Sequence, residues 1–277
     1  MPELPEVEIV RKDLEREIIG KKIKEVEVKL PRIVRRHKNR TEFVKRLVGR
    51  AVTKVERRGK YILVRLDNSD VLVMHLGMSG HIERTTARKP VEKHTHVVIK
   101  LATGGELRFI DMRTFGELFV TERDELDNIK ELQHIAIDPL EDSFTWQHFS
   151  QILSTRKTKL KALLMDQKFI SGIGNIYSDE ILWHAGLRFD RPSDSLTSQE
   201  VRRLYRAIQE VLQEGLRYRG VTPEDETYSD LYGKSGEMQD HLKVYGKVGM
   251  PCRRCRTPIT RERWSNRSTY FCPQCQV

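Results

Sequence analysis

Four cysteines are all this chain contains, and they lie together near its C-terminal end as Cys252-x2-Cys255-x16-Cys272-x2-Cys275. Two close pairs at this separation suit one tetrahedral zinc ion, each pair gripping from a tight turn. Two disulfides are the other use of four thiols. Cys-x2-Cys closes poorly into an unstrained bridge, however, and the chain opens with nothing resembling a secretory signal. Four thiolates leave the metal no open position, so the ion is structural and any chemistry lies elsewhere. The stretch between the pairs, RTPITRERWSNRSTYF, predicts a hairpin: Ile259 and Trp264, a polar turn around Asn266, then Thr269 to Phe271. From Lys243 to Val277 eight basic residues stand against one acid, Glu262, in a chain of net charge +10. A basic patch confined to a compact tail points to a polyanionic partner, nucleic acid first among them. Arg267 sits beside the turn, where an arginine reaches a phosphate or simply faces water.

The rest of the chain is long enough, at 277 residues, for one large domain or two. It holds no apolar run of membrane-spanning length, which suggests a soluble, cytoplasmic protein. After a first helix marked by Val7, Val10, Leu14 and Ile18 and stopped at Gly20 come short β-rich runs: VEV, VTKV, YILVRL, VLVMHL, HVVIKL, ELRFID and GELFV. Turns such as DNSD (67–70) and TGG (103–105) separate them, as in an antiparallel sandwich or barrel. Near residue 130 the pattern changes. IDPLEDSFT (137–145) reads as a linker, and from Trp146 the apolar spacing is helical through Phe149, Ile152, Leu153, Leu160, Leu163 and Leu164. Thr197 and Glu200 form a capping box, opening a helix with Val201, Leu204, Ile208, Val211 and Leu212 on its inner face. The expected organisation is α+β: a β-rich domain at 1–133, a linker at 134–145, a helical domain at 146–242 carrying an aperiodic loop at 220–240, and a zinc hairpin at 243–277.

Three stretches carry candidate chemistry. SGIGNIYSDE (171–180) puts glycines before a helix that starts at Asn175, an arrangement that brings N–H groups toward phosphate. HLGMSG (75–80) sets Met78 between glycines at a strand end, and DMRTFG (111–116) groups Arg113 and Phe115 before Gly116. Such residues are usually core, yet at glycine-flanked turns they are also the wedges that enter a duplex and fill the hole left by an extruded base. The third stretch is MPELPEVE. Pro5 suits a first helical turn, and Glu6 and Glu8 complement the helix dipole. Pro2 is left over. Removal of Met1 would free it as a secondary amine, and α-amino groups titrate at roughly 7.7–8.0, so an unprotonated nucleophile is available near neutrality. It can attack an anomeric carbon and form a Schiff base, with Glu3 moving protons beside it.

Taken together, MPELPEVE, RRGKY, HLGMSG, DMRTFG, GIGNIYSDE, LKVYGKVGMPC and the paired cysteines resemble the bacterial formamidopyrimidine-DNA glycosylase (8-oxoguanine DNA glycosylase) family, in its order and over essentially the whole chain. The resemblance implies an N-terminal antiparallel β-sandwich with a flanking helix, then a C-terminal helical domain with a helix–two-turn–helix motif and a zinc-finger hairpin. DNA would bind between the two halves. It implies Pro2 as Schiff-base nucleophile, Glu3 as the main acid/base and Glu6 in support. Lys60, within the catalytic group, together with His75, Asn175, Tyr245 and Arg267 matches positions that hold phosphates flanking the lesion. Met78, Arg113 and Phe115 match the void-filling trio, with Arg113 on the cytosine opposite. Cys252, Cys255, Cys272 and Cys275 would hold the single zinc. The implied reaction is removal of an oxidised purine from double-stranded DNA, then β,δ-elimination, by a monomer acting on the bacterial nucleoid.

Two stretches depart from the family pattern. The linker is IDPLEDSFT rather than the L-G-P-E-P form. The acidic 220–240 loop, which caps the flipped base in relatives, reads GEMQD where an aromatic often precedes the glutamine, and this bears on lesion preference. Two other readings compete. One keeps the fold but prefers oxidised pyrimidines, as endonuclease VIII does; that branch usually begins P-E-G-P-E and commonly lacks the Met-Arg-Phe trio. The other is a non-catalytic zinc-finger DNA-binding protein whose glutamates only cap a helix.

Overall fold

The computed structural model describes residues 2–223 and 228–277, so the fate of Met1 and the part of the 220–240 loop at 224–227 lie outside the described residues. Two compact units divide the chain: Met1–Gln133 with Tyr218–Gln239, and His134–Arg217 with Asp240–Val277. Segment 218–239, read from the sequence as part of the helical domain, thus groups with the β-rich unit.

The first unit begins with helix α1 (Leu4–Ile18), with Pro5 in its first turn. Val7, Val10, Leu14 and Ile18 form its buried stripe, each contributing on the order of 1.5–3 kcal/mol of burial. Next come β1 (Ile23–Val28), α2 (Arg40–Leu47), β2 (Val52–Arg58), β3 (Tyr61–Leu66), β4 (Asp70–His75), β5 (Gly80–Thr85), β6 (Thr95–Leu101), β7 (Glu106–Asp111), β8 (Glu117–Glu122) and the short α3 (Lys130–Gln133). The strands make two antiparallel four-stranded sheets, in orders β1-β6-β7-β5 and β2-β3-β4-β8. Ile62, Val64, Leu66, Leu72 and Met74 of one sheet share a core with Val97, Ile99, Leu101, Leu107 and Phe109 of the other. These alternate along their strands, as period-2 side chains facing a common interior must. The α1 stripe belongs to the same core. The architecture is therefore a sandwich with a flanking helix, which settles the choice between sandwich and barrel.

Register places the candidate residues at one end of this sandwich. Tyr61 pairs with His75, His75 with Glu117, and Gly80 with Asp111. The Gly59–Lys60 turn, the 76–79 turn and the 112–116 turn consequently emerge side by side.

The second unit holds α4 (Trp146–Ser154), α5 (Leu160–Met165), α6 (Asn175–Ala185) and α7 (Ser198–Arg217), followed by the hairpin β9 (Thr260–Trp264) and β10 (Arg267–Phe271). The capping box that opens α7 is formed. The Thr197 N–H donates to Glu200 at 2.8 Å and the Glu200 N–H to Thr197 Oγ1 at 3.3 Å. Leu204, Ile208, Val211 and Leu212 are buried on its inner face. Ser265 and Asn266, both left-handed at φ 46° and 60°, close the β9–β10 turn. Two successive positive-φ residues match the right-handed twist of a hairpin, and asparagine tolerates that region well. Among the described residues no helix is long and apolar enough to cross a membrane.

Candidate active site and nucleic-acid interface

The opening octapeptide caps a helix, as the sequence predicts. Pro2 is buried, and Glu3 and Glu6 are each 2% exposed. Glu3 is the extended N-cap of α1 and makes a reciprocal capping box with Glu6, whose Oε2 accepts the Glu3 N–H at 2.8 Å. The other Glu6 oxygen accepts the Val221 N–H at 2.8 Å. The cap thus fixes the peptide directly after Pro2. Glu8, expected only to complement the dipole, does more. It binds Arg57 at 2.7 Å and Arg11 at 2.9 Å, and Arg57 donates to the Gly59 carbonyl at 3.1 Å. Burial, the strongest influence on Glu8, favours the neutral acid. The two guanidiniums outweigh it and hold the carboxyl below its usual range. This pair connects α1 to the turn that carries Lys60.

At that turn Lys60 lies close enough to act on His75. The His75 ring, 4.6 Å from Tyr61, is driven down to a pKa of about 4, by burial first and then by the positive charge of Lys60. His75 is therefore a neutral imidazole at physiological pH, a hydrogen-bonding group rather than a cation.

The trio stands on two turns locked back to back. Met78 is 41% and Phe115 52% exposed, and Arg113 is exposed between them. Large apolar side chains in water need a reason, and beneath them the scaffold is tightly specified. Asp111 is fully buried; Oδ1 accepts the Ser79 hydroxyl at 2.5 Å and the Arg113 N–H at 3.2 Å, and Oδ2 accepts the Gly116 N–H at 2.7 Å. Gly77 is left-handed at φ +66°, and a Cβ there would fall 2.5 Å from the Gly116 nitrogen. Only glycine allows that approach. Sequence reasoning missed Asp111, whose only signal is an acid at a strand end before a turn.

In the second unit Gly174 is the N-cap of α6, so Asn175 opens that helix as expected. Its Nδ2 donates to the Ser268 carbonyl at 3.1 Å, next to Arg267, and Tyr245 packs on Tyr270 with ring centroids 4.9 Å apart. Asn175, Tyr245 and Arg267 are thus gathered around β10. Two acids that sequence reasoning passed over do the gathering. Asp179 accepts the Tyr270 N–H at 2.9 Å and pairs with fully buried Lys161 at 2.7 Å; burial raises its carboxyl against the pull of that lysine. Glu180 accepts three successive N–H groups, of Lys243, Val244 and Tyr245, at 2.8, 2.9 and 2.8 Å.

The four cysteine sulfurs lie within 4.8 Å of one another, with Cys252–Cys275 at 3.9 Å and Cys255–Cys272 at 3.4 Å. Zinc–sulfur bonds of about 2.3 Å in a tetrahedron require edges of about 3.8 Å, so the set fits one ion. Trp183 Nε1–H points at Cys252 Sγ from 3.5 Å, and the Arg254 guanidinium lies 4.0 Å above the Trp183 ring. Arg254 also donates to the Trp183 and His184 carbonyls at the end of α6. It joins finger to helix, and so is one basic residue of the tail committed to structure.

Known proteins carry the same parts. Residues 1–118 match the formamidopyrimidine-DNA glycosylase N-terminal domain, residues 135–226 the H2TH domain of that enzyme, and residues 249–277 a zinc finger found in FPG and IleRS. The fold and site define a DNA glycosylase with a helix–two-turn–helix domain and a zinc finger. A formamidopyrimidine-DNA glycosylase of Pelotomaculum thermopropionicum is 42% identical over all of this chain and 99% of its own. That of Salinispora arenicola is 45% identical over all of this chain and 96% of its own. A Lactococcus lactis Fpg bound to abasic-site DNA superposes with a TM-score of 0.91 at 35% identity, and a MutM bound to DNA containing carbocyclic 8-oxo-G with 0.90 at 34%, each covering 99% of both chains. The chain belongs to the formamidopyrimidine-DNA glycosylase family. It is accordingly a DNA-binding repair glycosylase with the family's abasic-site lyase activity and one structural zinc ion.

Proposed function

We propose that the protein removes oxidised purines, 8-oxoguanine and formamidopyrimidines, from double-stranded DNA and then cuts the strand at the resulting site. The observation that carries this reading is the exposed Met78, Arg113 and Phe115 set on a scaffold locked by Asp111. A methionine and an arginine fill the place of an extruded nucleotide, while Phe115 wedges the neighbouring step. Arg113 hydrogen-bonds the cytosine left behind. Pro2, freed by loss of Met1, attacks C1′ of the extruded nucleotide, and the base departs with the glycosidic electron pair. Opening of the sugar ring gives the iminium. Glu3, buried beside Pro2, moves protons to the ring oxygen and from C2′, and Glu6 fixes the turn that presents both. β-Elimination expels the 3′ phosphate, and δ-elimination then expels the 5′ phosphate. Lys60 and His75 in the first unit, and Asn175, Tyr245 and Arg267 in the second, hold flanking phosphates. The protein acts as a monomer in the bacterial cytoplasm, on the nucleoid.

A wider lesion range has one specific support: a Lactococcus lactis Fpg, 35% identical, is known in complex with DNA containing an oxidised pyrimidine. Borohydride trapping on a duplex with 8-oxoguanine opposite cytosine, followed by mass spectrometry of the adduct, tests the main reading. A covalent complex on a Met-free N-terminal peptide is expected. Zinc-loaded, Met1-free protein that binds the duplex yet traps nothing would exclude Schiff-base chemistry on this lesion and turn attention to oxidised pyrimidines.

A further inference from the structure

Helix α1 carries Pro2 and Glu3 at its start, and along one of its faces it carries something else. Glu6, Asp13 and Glu17 recur at spacings of seven and four, which places them in one row on an α-helix. Each takes a group from segment 218–239 of the same unit. Glu6 accepts the Val221 N–H at 2.8 Å, Asp13 binds Arg219, and Glu17 accepts the Tyr232 hydroxyl at 3.2 Å.

Arg219 occupies the centre of this row. Besides Asp13 it binds Asp230, which belongs to the returning arm of the segment, through Nε at 2.9 Å and Nη2 at 2.7 Å. Both carboxylates are buried, Asp13 at 1% and Asp230 at 2% exposure, so each needs a cation or donors to be tolerated. The other cation on Asp13 is Arg16, no closer than 4.0 Å. The free oxygen of Asp230 receives the N–H groups of Tyr232 and Lys234, each at 2.9 Å, and so shapes the turn at 230–234. Arg219 itself is left-handed at φ 55°, a conformation uncommon outside glycine, and Gly220 after it is left-handed at φ +82°. A Cβ at Gly220 would lie 2.7 Å from Glu6 Oε1. Backbone strain at Arg219 persists where surrounding contacts over-determine it. Here they bind both arms of the segment to the helix.

We propose that Arg219 is a positioning residue for base removal: by bridging Asp13 and Asp230 it fixes both arms of segment 218–239 on α1 and thereby the Val221–Glu6 contact behind Pro2 and Glu3. The role rests on the function proposed above and on the family resemblance, since the 220–240 loop caps the flipped base in relatives. An abasic nucleotide offers no base for the segment to hold, so removing the bridge should separate the two activities.

The test compares single-turnover release of 8-oxoguanine opposite cytosine with strand cleavage at a preformed abasic site, for wild type and Arg219→Gln. Base release is expected to fall on the order of tenfold or more, with abasic cleavage within about twofold of wild type. Arg219→Lys should restore part of the loss. Asp13→Asn combined with Arg219→Gln should be no slower than the slower single variant, the mark of one shared interaction. Unchanged base release overturns the proposal, and so does an equal loss on both substrates, which marks a general structural role. Should Arg219→Gln fail to fold, Asp230→Asn and Arg219→Lys supply the same comparison. Wild-type protein that cuts abasic sites but releases no oxidised purine would defeat the functional reading itself, an outcome distinct from an active wild type matched by Arg219→Gln.

Discussion

The turns that carry Met78, Arg113 and Phe115 and the finger that carries Arg267 solve the same problem by different means. Each must hold exposed side chains on irregular backbone. In the first unit one buried carboxylate, Asp111, collects a hydroxyl and two N–H groups, and the neighbouring glycines let two backbones touch. The sandwich behind it is large, so hydrogen bonds suffice. In the second unit Glu180 likewise collects three N–H groups. The finger beyond it, however, is built around a small cluster of Trp183, Val244, Ile259 and two cysteines. So small an apolar cluster does not offset the chain entropy of ordering a hairpin, and a metal makes up the difference. Rigidity comes from burial where a core is at hand, and from coordination where it is not.

The largest effect should come from breaking the metal side of this contrast. Structural zinc contributes on the order of 10–16 kcal/mol to such sites. Cys252→Ser or zinc chelation should therefore abolish tight duplex binding, measured by fluorescence anisotropy; undiminished affinity would refute the role of the finger. On the other side, Asp111→Asn places an amide NH2 donor where a carboxylate oxygen accepted one, a mismatch costing about 1–3 kcal/mol. Urea unfolding should show that loss, together with weaker discrimination among opposite bases, while zinc content stays at one per chain. Arg113→Ala keeps the Arg113 N–H bonds to Ser79 and Asp111 and removes the proposed reader, so preference for the cytosine pair should drop by about 1–3 kcal/mol. Cleavage of bare abasic sites should be largely intact; equal losses on both substrates would count against the assignment.

The smallest effect concerns His75. Its pKa falls from 6.5 to about 4 in the folded protein, so the folded state binds fewer protons than the unfolded chain between those values. Stability from this group is present above pH 6.5 and is lost as pH falls toward 4. Because the ring keeps some contact with water, the total is about 1 kcal/mol after screening. His75→Gln should flatten that part of the pH–stability curve, and an unchanged curve would show that the ring is not protected.

Much of the fold was legible because its signals are local. The Val7, Val10, Leu14 and Ile18 stripe, the Thr197–Glu200 box, the turn at Asn266 and the cysteine spacing all report neighbours within a few residues. The choice between sandwich and barrel was not legible, since strand order depends on long-range pairing. The buried polar contacts were hidden for the same reason. Glu8 meets Arg57 across 49 residues, and Glu6 meets Val221 across 215. Nothing in periodicity marks which glutamate of MPELPEVE caps, which anchors a hairpin and which receives a distant loop. Arg254 shows the opposite error. It was counted with the basic surface, yet the indole beneath it and the carbonyls beside it assign it to a joint.

The Glu180 carboxylate has one more consequence. Lys243, Val244 and Tyr245 lie outside every helix and strand, where amide protons ordinarily exchange with solvent quickly. Three of them in a row are donated to a carboxylate buried in the middle of α6. Their exchange should therefore be slow, at the rate set by opening of that helix rather than by motion of the coil. A protected triplet in irregular chain is an isotopic fingerprint of the link between α6 and the finger, readable by deuterium uptake without DNA and without a reporter on the metal.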